Sequence, residues 1–226
     1  MPTKNEIKGM KEVMPRIKRE WYDQLIVVDA NSTDGTLEFA KKMGYTVVVQ
    51  KRAGLRGAYL DALPYVNGDI IVTFSPDGNS IPELLPALLD EMRKGYDMVI
   101  VSRYAQGARS YDDNLFTRIA NKTFNLLINT FFRARYTDAM VIYRAYKKRL
   151  IHDLDLDKDF SYLPERIFKK PMSWEMLMSI RCAKRRMKIA EIPGDEPPRI
   201  GGEKRVHYRW GFAYLLQLLL ELLMWR

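Results

Sequence analysis

A chain of 226 residues, 47% of them hydrophobic, is long enough to bury a sizeable core in one main domain. Its 37 Lys and Arg against 28 Asp and Glu leave a formal charge of +9, which points to an anionic partner: phosphate groups, a lipid surface or nucleic acid. The single cysteine, Cys182, excludes an internal disulfide, and with only two histidines to activate it, it reads as apolar filler in a reducing compartment.

The first residues, "MPTKNEIKGMK", lack the apolar core of a signal peptide. Four continuous apolar runs follow, "LIVV" (25–28), "TVVV" (46–49), "DIIVTF" (69–74) and "DMVIV" (97–101). Such runs suit strands buried on both faces. Between them "TLEFAKKMG", "RGAYLDALPYV" and "IPELLPALLDEMRKG" carry apolar residues at helical spacing. The alternation predicts an α/β fold, a parallel sheet flanked by helices. Ser80 and Glu83 are spaced as a capping box, with Pro82 in the first turn.

Beyond Arg103 the pattern reads as a loop, then an amphipathic helix over "LFTRIANKTFNLLINTFF". A strand or strand-helix turn over "AMVIYRAY", a helix over "SWEMLMSIRCAKRRM" and a strand over "KIAEIP" come next. These extend the sheet rather than form a second domain. From Arg181 to Arg209 nine Lys and Arg face four acids. This basic segment leads into "WGFAYLLQLLLELLMW" (210–225), which Gln217 and Glu221 interrupt, so it is too short of apolar residues to span a bilayer. Those two share one face and leave a wide apolar remainder, which predicts a helix in a membrane interface; docking on the domain or on a partner chain is the rival.

Ligands of open parallel sheets bind beyond the carboxyl ends of the strands. Asp29 ends the first run and Asp77 follows the third, so both belong to one rim. Each also has an ordinary explanation, since "NSTDG" suits a helix N-cap and "SPDG" a turn.

Seven segments in order, "PTKNE" (2–6), "VVDANSTDGT" (27–36), "SPDGNSIPE" (75–83), "SRY" (102–104), "DAMVIYRAY" (138–146), "WEMLMSIRCAKRRMKIAEIP" (174–193) and "RIGGEKR" (199–205), resemble family 2 glycosyltransferases. The likeness is greatest to those acting on polyprenyl phosphates. It implies a GT-A type, Rossmann-like, mostly parallel sheet over residues 1–205, with 206–226 as a C-terminal amphipathic helix. The family's first strand, ahead of "PTKNE", is not visible, which predicts an exposed neighbouring edge.

By the same resemblance Pro2, Asn5, Glu6, Asp29, Ser32, Asp34 and Ser75 border the donor nucleotide, and Asp29 accepts hydrogen bonds from its base. Asp77 matches the second carboxylate of an Asp-X-Asp motif that binds Mg²⁺ or Mn²⁺, with Asn79 as a further oxygen. Ser75 stands where the first Asp is expected. Arg103, Arg118 and Lys122 match a cluster gripping a lipid phosphate, and Arg118 and Lys122 share a helical face; a solvated basic face is the plain alternative. Asp138 with Arg144 match the segment beneath the site, or form a structural ion pair. Glu175 matches an acid below the acceptor, and Arg199 and Lys204 flank a loop able to close over the diphosphate.

The resemblance implies inverting transfer of a hexose from a GDP- or UDP-sugar to a polyprenyl phosphate, on the cytosolic face of a membrane. A soluble acceptor and an inactive nucleotide-sugar-binding relative are the rivals, and a homo-oligomer stays open. Nucleic acid is disfavoured, because the basic residues are not interleaved with stacking aromatics.

Overall fold

The apolar runs become strands because β-branched residues fill them; those at 26–29 and 98–102 are buried as expected, whereas those at 46–49 and 70–73 lie at sheet edges and leave Val49 and Ile70 exposed. The computed structural model describes residues 1–159, 161–169, 171–201 and 208–224, with 208–210 seen in backbone alone. Strand β1 is Pro2–Thr3, followed by α1 (Ile7–Val13), β2 (Ile26–Asp29), α2 (Thr36–Lys42), β3 (Thr46–Val49), α3 (Gly54–Ala62), β4 (Ile70–Thr73), α4 (Leu85–Arg93) and β5 (Met98–Ser102). Next come α5 (Leu115–Phe132), β6 (Arg144–Lys147), α6 (Arg149–Asp153), α7 (Leu163–Phe168), α8 (Trp174–Lys184), β7 (Ile189–Pro193) and α9 (Tyr208–Leu223).

The strands form two sheets. A parallel one runs β1-β2-β3, and a mixed one runs β4-β6-β5-β7 with β6 antiparallel to both neighbours. A first strand is present where none was expected: Pro2 pairs with Val28 and Thr3 with Asp29, and the Met1 amino group donates to Ile26 O at 3.0 Å. No strand pairing joins the two sheets among the described residues.

The capping box expected at Ser80 and Glu83 does not form. A 3₁₀ turn over Pro82–Leu84 precedes α4, and Glu83 instead takes a bidentate ion pair from Arg16 at 2.9 and 2.7 Å. Helix α5 is capped reciprocally by Asn114 and Thr117.

The core lies between β5, β6 and the helices α4 and α8. Cys182 is fully buried there, and burial pushes its thiol up to about 12, consistent with filler. Arg144, also fully buried, donates to Val141 O (3.0 Å), Ala139 O (3.1 Å), Glu175 O (3.2 Å) and Ser179 Oγ (2.9 Å). It is a tie between β6 and α8; Asp138 pairs with Arg103 instead.

Helix α9 packs on α7, α5 and α8. Its polar residues face inward: Glu221 is held by Arg181 at 2.8 Å and Lys184 at 3.5 Å, with Gln217 buried beside it. Phe212, Leu215, Leu219, Leu223 and Met224 are left exposed. Two cations from α8 recruit the helix's polar stripe and so turn its apolar side outward. No helix among the described residues is long and apolar enough to cross a membrane.

Candidate active site

A cleft of about 890 Å³ opens at the carboxyl ends of the strands. The β2–α2 loop faces the cleft through Ala30 and Asn31, and its remainder shapes the wall by binding the β1–α1 loop. Ser32 Oγ accepts from Asn5 N at 2.9 Å, Asn5 Oδ1 accepts from Thr33 N at 2.8 Å, and Thr36 Oγ1 accepts from Glu6 N at 2.9 Å. Asp34 accepts from Ile7 N at 3.1 Å and Thr36 N at 3.0 Å. Burial pushes its carboxyl up, but these bonds and that of the Thr36 hydroxyl outweigh it and leave the pKa below the ordinary value. Asp29, fully buried, accepts from Ser32 N at 2.9 Å and Thr3 Oγ1 at 3.4 Å.

Behind this wall α1 touches the β4–α4 turn. A Cβ on Gly9 would lie 2.9 Å from Asp77 Cα, so only glycine admits the contact. Asn79 N donates to Asp77 Oδ1 at 3.1 Å, and Arg199 pairs with Asp77 Oδ2 at 2.8 Å and reaches Glu6 at 3.8 Å. Gly78, at φ +96°, leaves room for Ile200, whose N–H donates to Asp77 O at 2.8 Å. The segment 199–201 therefore lies across the carboxylate turn as a strap. Asn79 Oδ1 is buried without a hydrogen-bond partner.

Arg103 stands deeper in the cleft, gripping Asp138 through Nε (2.6 Å) and Glu196 at 3.2 Å. Burial acts to lower its pKa, but the Asp138 and Glu196 carboxylates hold it well above the ordinary value. Glu196 is raised by burial against the opposing pull of Arg103 and Ser110. Phe116, Pro171, Met172, Gly211, Tyr214 and Glu175 also line the cleft, with Pro171 packed against Gly54. Glu175 is 2% exposed and accepts from Tyr59 Oη at 2.8 Å and Ser173 Oγ at 2.5 Å.

Of the residues singled out in the sequence, Pro2, Glu6, Ser75, Asp77, Asn79, Arg103 and Arg199 line this one cleft. Asn5, Asp29, Ser32 and Asp34 sit behind its wall as supports. Arg118 and Lys122 are exposed and absent from the lining, because α5 buries Phe124, Ile128 and Phe132 and turns Thr117 and Asn121 to the cleft. Lys204 falls outside the described residues. Asp112, Glu196 and Tyr214 line the cleft without having been foreseen; the only sequence signal for the first two was an acid within a polar loop. No group of three His, Cys, Asp or Glu side chains suited to a metal occurs among the described residues.

Residues 1–155 match the family model described as glycosyl transferase family 2. A Haloferax volcanii protein named dolichyl-phosphate hexose transferase is 30% identical over 215 residues, covering 94% of this chain and 88% of its own. Glycosyltransferase AglJ of the same organism is 29% identical over 205 residues, 89% of this chain; the chain spans 63% of that relative's length. Among solved structures, glucosyl-3-phosphoglycerate synthase from Mycobacterium tuberculosis with Mn²⁺, UDP and phosphoglyceric acid superposes with a TM-score of 0.68 at 19% identity, over 98% of this chain and 76% of the other. The fold is that of GT-A enzymes, and by the extent of its family match the chain belongs to glycosyl transferase family 2.

Proposed function

We propose that the enzyme transfers a hexose, with inversion, from a nucleotide sugar to a polyprenyl phosphate at a membrane surface, where it attaches peripherally on the cytosolic face. The observation carrying this reading is the lining of the cleft. It takes in both Asp77 and Arg199 and, from α9, Gly211 and Tyr214, and the outer side of that helix is apolar. Leu115, Ile119 and Leu126 on α5 and Leu163 and Ile167 on α7 are exposed as well. Arg118 and Lys122 stand among the α5 residues, which suits lipid headgroups with the side-chain stems along apolar surface.

The donor nucleotide would lie along Pro2, Glu6 and the 30–31 and 50–54 segments of the wall. Asp77 and the unpartnered Asn79 oxygen suit Mg²⁺ or Mn²⁺, which prefer hard oxygen ligands. When bound, such an ion neutralises charge on the departing nucleoside diphosphate. The strap adds the positive charge of Arg199 at the same end. Asp138 holds the Nε and Nη2 edge of Arg103, so a phosphate acceptor would bind at Nη1 in place of the Glu196 carboxylate. A phosphate monoester is already anionic near neutral pH, so positioning and charge neutralisation replace a strong base.

A hydroxyl-bearing soluble acceptor is the second reading. Glu175, a buried carboxylate lining the cleft, is the observation in its favour, since a hydroxyl needs a base. Incubation of the protein with labelled GDP- and UDP-sugars, Mg²⁺ or Mn²⁺, and polyprenyl phosphate in vesicles tests both readings. Sugar recovered in the lipid phase is expected; transfer only to soluble acceptors would favour the second reading, and absence of transfer from every donor would overturn the activity.

A further inference from the structure

The donor end of the cleft is one carboxylate short, because Ser75 stands at the first acidic position of the Asp-X-Asp pattern. We infer that Asp112, from the loop between β5 and α5, supplies the missing negative charge, so that Asp77, Asn79 and Asp112 together hold the divalent cation. This inference rests on the metal-assisted reading proposed above. Asp112 Oδ2 accepts from Asn79 Nδ2 at 3.3 Å, and Asn79 N donates to Asp77 Oδ1 at 3.1 Å. Asn79 thus bridges two carboxylates that lie 35 positions apart in the chain, and all three side chains line the same cleft as Ser75. The buried, unpartnered Asn79 Oδ1 is the third oxygen of the set.

The loop is held so that Asp112, rather than its neighbour, makes this contact. Asp113 binds the Tyr104 hydroxyl and accepts from Thr117 Oγ1 at 3.0 Å, while its own N–H goes to Ser110 Oγ at 3.1 Å. Tyr111 N donates to Glu196 O at 2.9 Å, Ser110 binds the Glu196 carboxylate, and Asn114 caps α5. Fixed on both sides, residue 112 projects toward the carboxylate turn. Two carboxylates and an amide oxygen leave coordination positions for diphosphate oxygens and water, the mixture Mg²⁺ and Mn²⁺ ordinarily take. A carboxylate contributed by the acceptor-side loop would also link metal loading to the order of that loop.

Mn²⁺ titrations followed by electron paramagnetic resonance, on the full chain with and without UDP, test the assignment. Asp112→Asn is expected to weaken Mn²⁺ binding by about 10-fold or more, Asp90→Asn, at an exposed carboxylate on α4 outside the cleft, to leave it near the wild-type value, and Ser75→Asp to restore it in the Asp112→Asn background. That rescue also separates loss of a ligand from loss of fold. Wild-type affinity in Asp112→Asn alongside lost affinity in Asp77→Asn would overturn the role of Asp112 alone. Failure of the wild-type protein to bind Mn²⁺ even with UDP would overturn the metal-assisted reading itself.

Discussion

The Arg199 guanidinium stands 2.8 Å from the Asp77 carboxylate and 3.8 Å from that of Glu6, so the protein's own cation occupies the charge-bearing face of the turn expected to bind metal. A metal ion and Arg199 compete for that carboxylate unless the strap moves. Arg199→Ala is therefore expected to tighten binding of Mn²⁺ alone, by about 10-fold if roughly 1.4 kcal/mol of competition is removed. The same variant should slow sugar transfer. Calorimetric titration and a transfer assay on one preparation check the pair; weakened Mn²⁺ binding would contradict it.

Arg144 satisfies the carbonyls of Ala139, Val141 and Glu175 and the Ser179 hydroxyl from a fully buried position. Arg144→Leu removes that donor; the Ala139 carbonyl keeps its bond from Ser179 Oγ at 2.7 Å, and each group left unsatisfied costs ~1–3 kcal/mol. A loss of about 3–5 kcal/mol is expected in urea denaturation, comparable to removing one member of a buried ionic network.

Helix α9 exposes apolar residues while Arg181 and Lys184 hold Glu221 inside. Leu219→Asp with Leu223→Asp should abolish flotation with anionic vesicles and leave the thermal midpoint little changed, since both side chains are exposed. Glu221→Ala should do the reverse to the fold, lowering the midpoint by stranding two cations. Unchanged flotation of the double variant would remove α9 from the membrane contact.

Asp97 accepts from Lys147 at 2.9 Å, Arg149 at 2.7 Å and Lys188 N at 3.0 Å. Burial pushes its carboxyl up, but these partners outweigh it and hold the folded pKa below the ordinary 3.8. The carboxylate therefore stabilises the fold above pH 3.8, and that contribution is lost as the pH falls through the depressed value. Asp97→Asn should be less stable than the wild type at neutral pH, with the gap narrowing only below pH 3.8. Denaturation midpoints measured across that range check it.

Features that depend on local pattern were legible in the sequence. The limits of α5 at Leu115 and Phe132 follow from apolar periodicity, and β2 to β5 from unbroken apolar runs. Asp29 and Asp77 could be placed on one rim because strand ends define that rim; Asp77 lines the cleft, while Asp29 is buried behind its wall. What escaped was decided by contacts distant in sequence. Arg118 and Lys122 do share an outward face of α5, but Phe124, Ile128 and Phe132 turn that face away from the cleft. Gln217 and Glu221 share a face as spaced, yet cations on α8 draw it inward. Glu83 has capping-box spacing but finds Arg16, 67 positions away. No periodicity could reveal that Asp112 meets Asn79.

Arg103 and Arg199 are each compensated by carboxylates within the cleft, whereas Arg118 and Lys122 face solvent. The molecule thus keeps two electrostatic regimes with different sensitivity to ionic strength. Counterions screen exposed charges over roughly 10 Å at 0.1 M salt but act weakly on the enclosed Arg103–Asp138 pair. Raising salt should detach the protein from anionic vesicles well before it disturbs the cleft, giving a handle that varies residence at the bilayer while leaving the reaction chamber intact.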